Sequence, residues 1–136
     1  MKATAQSFYE LHVRDFSIQD HSVPAAHRGK FLAFTHPQSA GMRHLRELAA
    51  AGLTDLHLLP IFDFATVPER RCLQPHFKSQ GAAATAQAWL SRHAAKDCYN
   101  WGYDPANYNV PDGSYSTDPY QPATRVKEFK QMIQAL

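Results

Sequence analysis

Side chains alternate between apolar and polar over residues 9–14, and the apolar ones are Tyr9, Leu11 and Val13. Successive side chains of a β-strand point to opposite faces, so this period of two predicts a strand. The other face is polar and includes His12. Such a face fits either a solvated sheet edge or the polar top of a closed barrel, and the pattern alone does not separate the two.

A helix and a second strand follow in residues 39–60. Met42, Leu45, Leu48 and Ala49 recur at helical spacing, with Ser39 at the position of an N-cap and Gly52 at that of a left-handed C′ residue. Residues 53–60 then predict a strand that Pro60 ends. A strand, a crossover helix and a strand form a βαβ unit with parallel strands, so the sequence predicts an α/β fold.

The remaining chain predicts long connections and two more helices. Residues 15–38 predict irregular structure, in which the apolar patch at 30–34 packs the loop down. Residues 61–122 form a very long connection with a short helix at 85–95. A last helical stripe consists of Val126, Phe129, Ile133 and Leu136. No C-cap glycine follows it, and the alternation of strands and helices predicts a third strand after this helix. We therefore expect the chain to be the front part of a larger β/α repeat protein.

Composition narrows the classes of partner. A chain of 136 residues predicts one domain spanning 1–136, and a net charge of +2 without a basic run argues against nucleic acid. The hydropathy of the sequence predicts no membrane-spanning segment and no signal peptide, so either the chain is cytosolic or its true N-terminus lies elsewhere. Cys72 and Cys98 do not have the spacing of a zinc site, and a loop disulfide and two free thiols are equally compatible with the sequence.

Residues 100–105 (NWGYDP) form the stretch with the clearest candidate chemistry. Gly102 and Pro105 predict a rigid loop, in which Trp101 and Tyr103 stand next to Asp104. Aromatic faces beside a carboxylate suit a ligand with apolar faces and polar edges, such as a sugar ring. An equally weighted alternative is that the two rings only anchor a long loop to the core.

Four stretches carry a resemblance to a known family: residues 9–17 (YELHVRDFS), 50–60 (AAGLTDLHLLP), 100–105 (NWGYDP) and 110–115 (VPDGSY). In order and spacing they resemble the start of the catalytic barrel of pullulanase and limit-dextrinase type debranching enzymes, in the α-amylase superfamily (glycoside hydrolase family 13). Residues 23–30 (VPAAHRGK) match that group as well, and residues 61–96 match it least.

The resemblance implies a (β/α)8 TIM barrel with its active site at the C-terminal ends of the strands. The chain would supply the first two βα units and a long second βα loop, which is an incomplete barrel. Tyr103 would stack under the sugar whose bond is cut, and Asp104 would accept a sugar hydroxyl and organise the loop. Trp101 would anchor the loop or contact a further sugar.

The same resemblance implies an α-glucan partner, namely pullulan, starch or glycogen, cleaved at α-1,6 branch linkages. No organic cofactor is implied. Calcium occurs structurally in such enzymes, but no acidic cluster in the sequence identifies ligands, so no metal residue is predicted. Bacterial relatives are often exported or surface-attached, and plant relatives act in plastids. The sequence DCYN at 97–100 is similar to the bacterial type. The compartment stays open.

Retaining glycosidases need two carboxyl groups about 5–5.5 Å apart, one as nucleophile and one as acid/base. In the resembled family these follow the fourth and fifth strands, so this chain contains no catalytic residue of the family. We therefore expect the 136-residue chain alone to be inactive. The alternative is a non-catalytic α-glucan-binding polypeptide or a relic. His12 and His57 are expected to face the barrel interior, as hydrogen-bonded structural residues or, alternatively, as a proton site. Asp63 is expected at the top face, where it caps or braces the loop, and Asp112 and Asp118 are expected to be turn residues.

Overall fold

The computed structural model describes residues 5–74 and 84–136, and it has an α/β architecture of short strands and helices. The strands are β1 (Phe8–Leu11), β2 (Asp55–Leu58), β3 (Phe62–Phe64) and β4 (Pro105–Pro111). The α-helices are α1 (Val13–Ser17), α2 (Ala40–Ala50), α3 (Ala84–His93) and α4 (Pro122–Ala135). Single 3-10 turns cover Ala25–His27, Phe31–Thr35, Ala94–Lys96 and Gly113–Tyr115.

The predicted strand, helix, strand unit is confirmed. Strands β1 and β2 pair in parallel with Phe8 opposite Asp55 and Leu11 opposite Leu58, and α2 lies between them in the chain. The Ser39 hydroxyl accepts a hydrogen bond from the Met42 amide at 3.2 Å, as expected of an N-cap. Gly52 has a φ of +108°, which is the left-handed geometry expected after the helix.

The first strand ends earlier than the alternation of side chains predicts. Val13 does not belong to β1, because α1 begins there and His12 takes the N-cap position, accepting a hydrogen bond from the Asp15 amide. The prediction that Val13 shares a strand face with Tyr9 and Leu11 is therefore wrong. Local capping by a side chain overrides the period-two pattern at this point.

The long connection contains a second small sheet that the sequence does not predict. Strands β3 and β4 pair antiparallel, with Phe62 opposite Pro111 and Phe64 opposite Pro105. The short helix expected at 85–95 is confirmed as α3, and the one expected at 124–136 is confirmed as α4. Helix α4 starts at Pro122, whose missing N–H is harmless in a first helical turn.

The core lies under the 3-10 turn at Phe31–Thr35, where α4 and the second sheet meet. Phe31, Phe34 and Met132 are among its fully buried side chains. The Phe31 ring packs 5.5 Å from those of both Phe129 and Tyr115. The patch at 30–34 is thus buried, as its apolar character predicts, and it joins the first half of the chain to the last helix.

A disulfide joins Cys72 to Cys98, which decides the question that the sequence leaves open. Beside it, the Leu73 amide donates to the Lys96 carbonyl and the Cys98 amide to the Leu73 carbonyl, at 3.3 Å for the second pair. The disulfide and these hydrogen bonds cross-link residues 72–73 to residues 96–98, and this cross-linked segment ends two residues before Asn100. Within the part of the chain that the structure describes, no helix is long and apolar enough to cross a membrane.

Candidate functional site

The loop at residues 100–104, here called the aromatic loop, presents two rings to solvent. Tyr103 is 70% exposed and Trp101 is 55% exposed. Gly102, between them, has a φ of +86°, and a Cβ at this position would lie 2.8 Å from the Cβ of Pro60. A side chain is therefore excluded by both backbone conformation and space. The loop packs closely against Pro60, two residues after the end of β2.

Asn100 organises the aromatic loop from within. Its side-chain Nδ2 donates to Oδ1 of Asp104 at 2.8 Å and also bonds the Thr66 hydroxyl. Its Oδ1 accepts from the Gly102 amide at 2.8 Å. The loop is also fixed at its end, because the Asp104 carbonyl accepts from the Ala65 amide at 2.9 Å. Tyr103 therefore lies between two residues that Asn100 holds.

Asp104 is a half-buried carboxylate. Hydrogen bonds from the Thr66 hydroxyl and the Asn100 amide lower the pKa of Asp104 below its usual value, so it is ionised at neutral pH. Its Oδ2 is enclosed by the protein. In this geometry Asp104 organises the loop, and a sugar hydroxyl reaches it only if Oδ2 becomes accessible. The exposed surface of the loop consists of the rings of Trp101 and Tyr103.

Trp101 has features of both roles that the resemblance implies. One edge of its ring packs inward, with the Tyr99 ring 5.3 Å away and the His12 ring 6.1 Å away. More than half of its surface stays in solvent. The inward edge anchors the loop, and the outward face extends the surface that Tyr103 begins.

The structure separates the two histidines that the sequence treats alike. His12 is buried, with its Nε2 2.9 Å from the Asn100 carbonyl and 3.1 Å from the Tyr115 hydroxyl. This confirms the expectation of a hydrogen-bonded structural histidine there. His57 is exposed instead, and its Nδ1 lies 3.4 Å from the Glu10 carboxylate. His57 and Glu10 are partners in the β1–β2 register, and the neighbouring Tyr9 instead packs against His44 of α2. The expectation that His57 faces a barrel interior stays a prediction.

Asp112 is more deeply placed than a turn residue. It is fully buried, its Oδ2 accepts from the Phe64 amide at 3.1 Å, and its Oδ1 accepts from the Ser114 amide at 2.8 Å. Burial raises the pKa of Asp112, although these hydrogen bonds act in the opposite direction. The Asp-Gly-Ser order signals the capping of the following turn, but nothing local signals the bond to Phe64, which lies 48 residues away.

The structure also gathers three carboxylates that the sequence does not group. Oxygens of Asp63, Glu69 and Asp112 all lie within 4.8 Å of one another. The Arg125 guanidinium balances them, at 2.5 Å from Glu69 and 3.8 Å from Asp63. Because that cation already lies among the carboxylates, the cluster fits an internal ion-pair network better than a calcium site. Asp63 also accepts from the Asn107 side chain at 2.7 Å and so braces the second sheet, as expected.

Comparison with known proteins identifies relatives of this chain, although no protein-family model matches it. It is 45% identical to Pullulanase 1, chloroplastic, of Arabidopsis thaliana over 139 residues, which cover 96% of this chain and 14% of that protein. It is 38% identical to a pullulanase of Klebsiella aerogenes over an alignment of 168 residues, which covers 96% of this chain and 15% of that protein. Over nearly its whole length, this chain is homologous to pullulanases.

A solved structure gives the same answer for the fold. The crystal structure of the maltotriose complex of PulA from Klebsiella pneumoniae matches with a TM-score of 0.82 and 37% identity, over 96% of this chain and 18% of that one. An isoamylase of Flavobacterium is a further homologue. The resemblance to the debranching enzymes is thus confirmed. The chain spans only 14 to 15% of the length of the two pullulanases compared above.

Proposed function

We propose that this chain is part of a retaining glycoside hydrolase that cleaves α-1,6-glucosidic branch linkages in pullulan, starch or glycogen. The homology to pullulanases supports the reaction class. The observation that carries the site is the pair of exposed rings of Trp101 and Tyr103 on a loop fixed by Asn100. Large exposed aromatics on a rigid loop are expected at a binding surface, since a loop that only needs anchoring would bury them.

The rings fit an α-glucan through their shape. A pyranose ring has flat C–H faces that pack on an aromatic face and hydroxyl groups at its edge that need polar partners. Tyr103 offers an open face, and the outward face of Trp101 extends it. Asp104 keeps the loop in place through its hydrogen bond from the Asn100 side chain. In the proposed role these residues bind and orient substrate, and none of them is a nucleophile or an acid.

We further propose that β1 and β2, with α2 and α4, are the first two βα units of a (β/α)8 barrel. The parallel pairing of β1 with β2 through α2 supports this assignment. The aromatic loop belongs to the long connection after β2, and its Gly102 packs against Pro60, two residues beyond the C-terminal end of that strand. The C-terminal ends of the strands are where barrels of this class place their active sites.

The catalytic carboxylates of the family lie outside these two units, so we expect the purified chain to release no reducing sugar from pullulan. The carboxylates of Asp63, Glu69 and Asp112 do not change this expectation, since Arg125, Asn107 and backbone amides already engage them. A reducing-sugar assay with added pullulan checks it. Release above the rate of a heat-denatured sample would overturn the assignment of chemistry to other residues.

Glucan binding is tested independently of hydrolysis. An NMR titration of the ¹⁵N-labelled chain with maltotriose should shift the Trp101 indole N–H and the Tyr103 amide. Cellotriose, which has the same three glucose units joined by β-linkages, serves as the matched control and should shift them less. Equal shifts with both sugars would argue against α-glucan specificity. No shift with maltotriose would exclude the site. Binding of maltotriose by a chain that does not hydrolyse pullulan would also fit the alternative of a non-catalytic glucan-binding polypeptide.

A further inference from the structure

His12 contacts the aromatic loop from its buried side. Its ring centre is 5.4 Å from that of Tyr99 and 6.1 Å from that of Trp101. Its Nε2 is 2.9 Å from the Asn100 carbonyl oxygen. We propose that His12 is a positioning residue, which holds the aromatic loop in its glucan-binding geometry without touching the glucan. This inference rests on the proposed function of that loop.

The hydrogen bonds fix which ring nitrogen carries the proton. The Asp15 backbone amide can only donate, and it points to Nδ1 of His12 at 3.3 Å. Nδ1 must therefore present a lone pair, so the proton lies on Nε2. Nε2–H in turn donates to the Asn100 carbonyl, with the Tyr115 hydroxyl oxygen 3.1 Å from the same nitrogen. One ring nitrogen thus caps α1, and the other holds the loop.

The bond to Asn100 reaches the sugar-facing surface in one further step. The peptide that His12 holds belongs to the residue whose side chain bonds both Gly102 and Asp104. Tyr103 is the residue between those two. Without the hydrogen bond from His12, the backbone of Asn100 is no longer held in place. Its side chain then no longer fixes Gly102 and Asp104, and the orientation of the Tyr103 ring between them is lost. Because binding by a flat ring depends on its orientation, small displacements reduce affinity.

Two substitutions separate the two nitrogens. In His12→Asn the side-chain oxygen stands near the place of Nδ1, so the cap of α1 is kept and the link to Asn100 is lost. In His12→Gln the amide nitrogen stands near the place of Nε2, so the link is kept and the cap is lost. We expect His12→Asn to weaken maltotriose binding about five- to tenfold, which corresponds to one lost buried hydrogen bond. We expect His12→Gln to bind within about twofold of the original chain.

The experiment measures two quantities in each full-length variant, together with its thermal unfolding. One is the maltotriose dissociation constant. The other is the hydrogen-exchange protection of the Gly102 amide, which donates a hydrogen bond to the Asn100 side chain. A purely structural His12 predicts that binding and protection follow the unfolding temperature in both variants. Our inference predicts that the asparagine variant loses both selectively and that the glutamine variant keeps them even if its unfolding temperature is lower.

The outcomes distinguish this inference from the proposed function. If the original chain does not bind maltotriose, the proposed function fails, and the protection of Gly102 still decides the role of His12. Unchanged protection of Gly102 in His12→Asn would overturn the positioning role whether or not the sugar binds. Equal losses of affinity and protection in the two variants would overturn it as well. Such a result would mean that both substitutions act through a general loss of packing and not through one ring nitrogen.

Discussion

Tyr103→Ala is expected to weaken maltotriose binding by roughly 30-fold, or about 2 kcal/mol, which is the scale of an aromatic anchor at a binding surface. The ring is 70% exposed, so its removal should change the free energy of unfolding by less than about 0.5 kcal/mol. Calorimetric or NMR titration gives the first quantity, and chemical denaturation gives the second. A large loss of affinity at constant stability would identify the ring as a ligand contact.

Tyr108→Ala is the matched control for this experiment. Tyr108 is 72% exposed, but it belongs to β4 and not to the aromatic loop, and its ring lies 5.3 Å from that of Phe62. Its removal deletes the same atoms from a similarly exposed position. If both variants lose affinity equally, binding is a non-specific property of exposed tyrosines and the assigned site is wrong. If only Tyr103→Ala loses affinity, the loop is the site.

Asp112→Ala is expected to lower the free energy of unfolding by about 3 kcal/mol, since it leaves the amides of Phe64 and Ser114 without their acceptor in a buried place. Asp112→Asn should cost roughly half of that, because its single oxygen can serve only one of the two amides. Denaturant unfolding of the full chain measures both. The loss should be visible as a shift of the midpoint with an unchanged slope.

Asp118→Ala provides the comparison, because the sequence assigns Asp118 and Asp112 to the same class of turn residue. The Asp118 side chain is 47% exposed, and it accepts from the Tyr120 amide at 3.0 Å near water. We expect a cost below about 0.5 kcal/mol. Similar costs for the two alanine variants would mean that the buried bond to Phe64 contributes nothing to stability.

The parts of the fold that the sequence predicts correctly are those with local signals. Helix α2 carries its own cap residue and its own C′ glycine, and β2 directly follows it. Strand β4 could not be predicted in this way, because it begins and ends with proline and most of its residues are exposed, so no alternation appears. Its pairing with β3 depends on residues more than 40 positions away, and no local pattern encodes such a distance.

The candidate site shows the same division. Trp101, Tyr103 and Asp104 stand out from composition alone, since aromatic rings and a carboxylate next to glycine are unusual within so few residues. The partners that hold them do not stand out. His12 lies 88 residues from Asn100 in the chain, and its alternating neighbours make it look like a strand residue. The enclosure of Asp104 Oδ2 depends on the folded loop and could not be inferred from its sequence neighbours.

The Cys72–Cys98 bond closes residues 72–98 into a covalent ring. The chain therefore enters the aromatic loop from a cross-linked residue, Cys98, two positions before Asn100. Lengthening such a ring costs little, about 0.6 kcal/mol for each doubling of its length. We therefore expect changes in the length of the ring to leave the bonds of Asn100 to Gly102 and Asp104 in place. The ring is thus a part of the chain that can change in length while the disulfide keeps its two ends together.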